Sequence, residues 1–325
     1  MVTGASGHVG WHICKLLISR GYNVRAFIRH SSFKKHLLQL PLDIRYGDIL
    51  KIETLRKAME GVGAVFHTAA VYKLTKEKKD DPIIKTAIEG TKNLYQAAYE
   101  NHVKKIIYTS SVETIGLSYD KNKPLNELSY ANEGFYTYSI AKIESEKLAL
   151  ELAKKFNLFT VICNPSTVIG KDDYRLTPSN RMLLNYVKYN LFYVDGGQSL
   201  VDVEDVAQGH VSALYKGRNL QRYILSGENI EVKDLIISIR SVLNIKGPLL
   251  KLNKFFLHPI AFIYEMASVI TTKEPFITRR KVGKLIGSYS YYDCSKARHE
   301  LNYFPKKLIE TLSSTLRWLL ERYNR

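Results

Sequence analysis

Short apolar or β-branched runs alternate with longer stretches whose apolar residues recur every three or four positions through the first half of the chain. The runs at 24–28, 44–46, 64–67, 106–110 and 160–164 predict strands. The stretches at 9–20, 52–59, 82–101 and 136–156 predict helices, the last with Leu148, Leu152 and Phe156 on one face. Gly21 and Gly61 stand where a left-handed residue closes a helix. Strands that alternate with helices build a parallel sheet covered on both faces.

After Pro165 the rhythm weakens. Residues 166–199 mix both patterns around the turn residues Gly170, Pro178, Gly196 and Gly197. Further helices are expected at 206–214, 230–243 and 307–323, and a strand at 223–226. No internal repeat or low-complexity linker interrupts the chain. The expected fold is α/β: a Rossmann-type doubly wound parallel sheet with a smaller mixed α/β substrate domain. Residues 1–169 with 200–226 would form the dinucleotide-binding part, and 170–199 with 227–325 the substrate-binding portion and C-terminal helices.

Residues 255–270 are the most apolar long stretch, interrupted by His258, Pro259 and Glu265. They are short for a bilayer span, so the expectation is a buried or lid-forming helix and no stable membrane insertion. Only Met1 and Val2 precede the first glycine motif, where a central strand runs to about five residues. Either the first strand is short or the sequence lacks its true beginning.

That motif carries the first chemistry. Gly4, Gly7 and Gly10 recur at three-residue intervals just before a helix. The first allows a tight turn, the second lets backbone approach a pyrophosphate, and the third lets helix and strand pack closely. The helix N-terminus adds free N–H groups and a positive dipole end. About twenty residues on, the second strand end distinguishes the cofactors. An acid there would bind the ribose hydroxyls of NAD, but the chain has Arg29, followed by Ser31, Ser32, Lys34 and Lys35. Arg29 can stack on adenine and pair with a 2′-phosphate, which favours NADP(H) and leaves NAD(H) open. Asp48 could accept from the adenine amino group or cap a turn.

Tyr138 and Lys142 lie one helical turn apart on one face. A neighbouring ammonium favours the phenolate and makes the tyrosine a usable acid/base. Tyr72/Lys76, Tyr119/Lys123, Tyr292/Lys296 and Tyr303/Lys307 share the spacing, so context selects Tyr138, which opens a long helix after the fifth strand. Ser110 and Ser111 end that strand, where a parallel sheet forms its ligand crevice.

Composition narrows the classes further. The formal net charge is +17, with lysines and arginines scattered along the chain, which fits a solvated basic surface and anionic small molecules. No nucleic-acid-binding signature is present. Cys14, Cys163 and Cys294 are odd in number and far apart, which argues for a reducing, cytoplasmic setting without a disulfide framework. No Cys/His cluster has metal-ligand spacing, so no metal is expected.

Together these stretches resemble the extended short-chain dehydrogenase/reductase family. The match runs through Thr3–Gly10, Gly47 and Asp48, 65–70, 90–94, 108–111, 138–142, 164–170, 201–207 and 292–297. Within that family the chain is similar to the dihydroflavonol-reductase-like and hopanoid-associated sugar-epimerase-like group. The resemblance implies a Ser–Tyr–Lys site of Ser111, Tyr138 and Lys142, because the family serine lies five residues before the glycine of the next turn, here Gly116. It implies cofactor contacts from Gly4, Ser6, Gly7, His8, Val9, Gly10, Arg29, Asp48, Ile49, Thr68, Ala69, Ala70 and Pro165, besides Tyr138 and Lys142. Substrate contacts would come from Tyr72, Glu113 and Val168. Two residues depart from the pattern: Ala87 stands where Asn is common, and Glu113 where a small residue is common.

The leading expectation is an NADP(H)-dependent carbonyl reductase or alcohol dehydrogenase acting on a small molecule. The alternatives are a nucleotide-sugar epimerase or dehydratase with tightly bound cofactor, and a non-catalytic dinucleotide sensor that could dispense with the Tyr–Lys pair. A homodimer is open as the assembly.

Overall fold

Strands covered on both faces need apolar residues at nearly every position, and the first half supplies them. In the computed structural model, which describes residues 1–69, 81–134, 136–271, 279, 282–283 and 286–323, these runs form one seven-stranded sheet. Its strands are β1 (Val2–Thr3), β2 (Arg25–Ile28), β3 (Asp43–Tyr46), β4 (Ala64–His67), β5 (Lys105–Thr109), β6 (Phe159–Pro165) and β10 (Arg222–Leu225). The order is β10-β6-β5-β4-β1-β2-β3, with every pairing parallel. The order reverses between β1 and β4, which opens a crevice beyond their carboxyl ends.

Helices α1 (His8–Ser19) and α6 (Val203–Lys216) share one core with the sheet. Helices α2 (Ile52–Met59), α3 (Pro82–Glu100) and α4 (Thr137–Lys155) share the core on the other side. The doubly wound expectation is met. The predicted strand and helix positions of this half agree with the observed elements to within a few residues.

The weaker rhythm after Pro165 resolves into smaller pieces. β7 (Thr167–Ile169), β9 (Gly197–Asp202), β11 (Glu228–Glu231) and β13 (Tyr289–Ser290) form a mixed sheet around β9. A third core lies between α5 (Pro178–Lys188), α7 (Val232–Val242), the C-terminal helix Leu308–Tyr323 and this sheet. Residues 167–169 and 200–202 pair with one another in the second sheet. β8 (Phe192–Tyr193) and β12 (Leu250–Lys251) make a short parallel pair, followed by α8 (Lys254–Thr271).

Of the two expectations for helix α8, buried or lid-forming, the structure corrects the first: Phe255, Phe256 and Ile263 are 77%, 65% and 65% exposed. Among the described residues, the packed side of α8 is Leu257 and Ala261, which meet Val282, Val194, Leu252 and Ile286 in a small core. No described helix is long and apolar enough to cross a membrane.

Candidate active site

The glycine loop bridges β1 and α1 at the point where the strand order reverses. Gly4 has φ +69°, and a Cβ there would meet Ala69 Cα at 2.8 Å. A Cβ at Gly10 would meet the Gly4 carbonyl oxygen at 2.5 Å and Thr68 Oγ1 at 2.7 Å. Both positions exclude side chains because the loop lies directly against the end of β4. Thr68 Oγ1 donates to Thr3 O at 2.7 Å and fastens that contact. α1 starts at His8 with Gly7 at its cap, so no side chain covers the first N–H groups. This cradle fits a pyrophosphate.

Gly4, Ser6, Gly7, Arg29, Asp48, Ile49, Thr68 and Ala69 line one cavity with Tyr138 and Lys142. His8, Val9, Gly10, Ser111, Glu113, Pro165 and Val168 line a second, which shares Gly4, Gly7, Arg29, Thr68, Tyr138 and Lys142 with the first. The structure therefore brings nearly every expected site residue around one connected crevice. Ala70 and Tyr72 lie outside the described residues. His8 also ties the loop after β7 in place, its Nε2 lying 2.9 Å from Lys171 O.

Just beyond β2, Arg29 lines the cavity, is exposed, and has no protein partner for its guanidinium among the described residues. Asp48 faces the same cavity, and its Oδ1 accepts from Leu50 N at 3.0 Å, so the turn role is real. Ile49 packs over Gly90, where a Cβ would come within 2.6 Å of Ile49 Cδ1. Asn93 Nδ2 donates to Ile49 O at 2.9 Å. Gly90 and Asn93 thus hold the loop that follows β3. Sequence reasoning missed Arg175, which is exposed and lines both cavities beside Arg29. It sits in an irregular loop after Gly170 with no motif around it, and a lone cation beyond a strand end was the only signal.

Tyr138 enters through the first turn of α4, whose start is fixed by Ser139 Oγ accepting from Tyr136 N at 2.9 Å. Lys142 follows one turn later and is buried, with Nζ donating to Thr109 O at 2.8 Å and lying 5.9 Å from the Tyr138 ring centre. Burial pulls the Lys142 ammonium down to about 8, while the Glu146 carboxylate works against that shift. The charge thus sits in a dry site beside the phenol, where its influence is strongest. His67 stays neutral on the crevice floor, since burial first and Lys142 second hold it near 3.

Ser111 is buried at the end of β5, and its Oγ accepts from Glu113 N at 3.2 Å, which leaves its proton free to donate elsewhere. Glu113 is half-buried and lines the cavity. Burial pushes its carboxyl up to about 7, and a hydrogen bond from Ser139 opposes this. A buried network supports this corner. Glu146 accepts from Thr114 Oγ1 at 2.9 Å and Asn164 Nδ2 at 2.7 Å, and lies 2.8 Å from Arg222 Nε. Asn164 Nδ2 also reaches Ser111 O at 3.1 Å. The helix that carries Tyr138 and Lys142 is thereby locked to the backbone of Ser111.

The remaining Tyr–Lys pairs lie elsewhere. Tyr292 is buried and donates to Gly116 O at 2.9 Å, Tyr303 is a core residue, and Tyr119 is 64% exposed. Tyr72 falls outside the described residues. Among the described residues no cluster of His, Cys, Asp or Glu could hold a metal ion.

Residues 1–226 match the NAD dependent epimerase/dehydratase family. The "Putative dihydroflavonol 4-reductase" of Synechocystis sp. is 31% identical over 323 residues, covering 98% of this chain and 93% of that protein. A crystal structure of gox2253 superposes with a TM-score of 0.84 at 34% identity, over 99% of this chain and 98% of the other. The UDP-glucose 4-epimerase of Thermus thermophilus, in complex with NAD, shares the fold at a TM-score of 0.77 and 18% identity, over 99% and 98% of the two chains. Fold, crevice and relatives agree, and the chain belongs to the NAD-dependent epimerase/dehydratase family, a group of NAD(P)-dependent reductases, epimerases and dehydratases.

Proposed function

We propose that the protein is an NADP(H)-dependent carbonyl reductase or alcohol dehydrogenase that acts on a small molecule through Ser111, Tyr138 and Lys142. The observation that carries this reading is the convergence of all three side chains on the crevice entered by the glycine loop. Bound nicotinamide would supply or accept the hydride. Tyr138 would exchange a proton with the substrate oxygen. Lys142 would favour the phenolate and bind the nicotinamide ribose. Ser111 would donate to the same substrate oxygen and hold it beside the phenol. Pro165, Val168 and Glu113 would wall the substrate end. The buried, unpaired Cys14, Cys163 and Cys294 suit a reducing compartment such as the cytoplasm.

The preference for NADP(H) rests on Arg29, with Arg175 beside it as a second cation for phosphate. Fluorescence titration should give tighter binding of NADPH than NADH, and Arg29→Asp should reduce the difference. Equal affinities in the parent protein would remove this part of the reading.

A second reading, epimerase or dehydratase, is favoured by Glu113. A carboxyl near 7 in the substrate cavity is a second proton-transfer group that simple carbonyl reduction does not require. A screen of carbonyl compounds and nucleotide sugars separates the two, because only net reduction consumes NADPH stoichiometrically.

A further inference from the structure

Among the described residues of α8, the outward face is more apolar than the inward one. At about 100° per residue, Phe255, Phe256, Pro259, Phe262, Ile263 and Met266 fall within one arc of about 120°. All six are exposed. Among the described residues of the packed side, Leu257 and Ala261 are buried. A helix resting on a protein in water normally has the reverse arrangement. Exposed patches of this kind mark a surface with a partner.

The stretch of sequence that contains α8 is basic. Residues 246–284 hold six lysines and two arginines against two glutamates. One of those, Glu265, is paired with Arg279 at 2.9 Å and so presents no bare carboxylate. A second copy of the protein would bring the same basic segment and the same +17 net charge against this one, which opposes self-docking. An anionic layer with an apolar interior satisfies both features at once.

We propose that this face of α8 lies in the plane of an anionic lipid surface. The aromatic and aliphatic side chains enter the headgroup–acyl boundary, and the positive net charge of the chain draws it to anionic headgroups. Pro259 and Glu265 keep the helix on the surface rather than across it. The proposal does not depend on Tyr138 being catalytic.

The test is flotation of the full chain with phosphatidylcholine vesicles, with and without phosphatidylglycerol. Binding should require phosphatidylglycerol and weaken as salt rises. The double variant Phe255→Glu with Ile263→Glu should bind at least about tenfold more weakly. Phe262→Ser with Met266→Ser is a second pair on the same face and should act in the same direction. Both pairs replace exposed side chains, and thermal melting checks that they fold. Leu128→Glu, at a position 87% exposed elsewhere on the surface, should bind like the parent. Three results would overturn the proposal: no binding of the parent to anionic vesicles, undiminished binding of both double variants, or a dimer that Phe255→Glu with Ile263→Glu dissociates while lipid binding persists.

Discussion

Ile107 in β5 and Ile263 in α8 are the same side chain in opposite circumstances. Ile107 has no exposed surface, and its strand lies between β4 and β6 with helices over both faces. Ile263 is 65% exposed on a helix whose packing, among the described residues, runs through Leu257 and Ala261. Apolar character therefore means two different things in the two regions. In the sheet it builds the floor that aims Thr109, Ser110 and Ser111 at the crevice. In α8 it is surface, and it contributes little to holding the fold together.

Paired substitutions sharpen this contrast. Ile107→Ala should destabilise the protein by about 2–5 kcal/mol, the range for a large core side chain cut back to alanine. Ile263→Ala should stay within about 0.5 kcal/mol. Urea unfolding of both variants measures the difference. Similar losses at the two sites would mean that α8 is covered in solution and would erase the distinction.

Legibility from sequence follows the same division. The parallel strands read as apolar runs because both of their faces are buried. Gly4 and Gly10 are legible as glycines because backbone contact leaves no space for side chains there. Tyr138 and Lys142 share a face because one helix carries both, so spacing suffices. Arg175 was illegible, since only the path of the loop after β7 brings it to the cavity. The orientation of α8 was illegible for a related reason. Periodicity shows that a helix is apolar, but not whether the rest of the chain supplies enough surface to cover it. The Glu146–Arg222 pair was missed because its members lie far apart in sequence and meet through tertiary packing.

A smaller effect distinguishes the crevice from the sheet beneath it. Glu113 keeps its proton in the folded protein up to about pH 7, whereas an ordinary glutamate loses it near 4.5. Its contribution to stability is therefore complete below the lower value and is lost as pH rises through the upper one. Relative to the parent, Glu113→Gln should gain on the order of 2 kcal/mol between about pH 5 and about pH 8. Denaturant midpoints across that range check it. A constant offset between the two proteins would show that Glu113 titrates like a solvent-exposed carboxylate.

The most direct test of the site is Tyr138→Phe, which removes the transferable proton and keeps the ring. Steady-state kinetics on a carbonyl substrate identified by NADPH consumption, together with cofactor titration and thermal melting, gives the answer. Folding and cofactor binding should survive while kcat falls by about 10²–10⁴, the usual contribution of a positioned acid/base. The Phe variants at Tyr119, Tyr292 and Tyr303 should keep substantial activity. A Tyr138→Phe protein that is folded, cofactor-bound and near-normal in kcat would contradict the Ser–Tyr–Lys assignment.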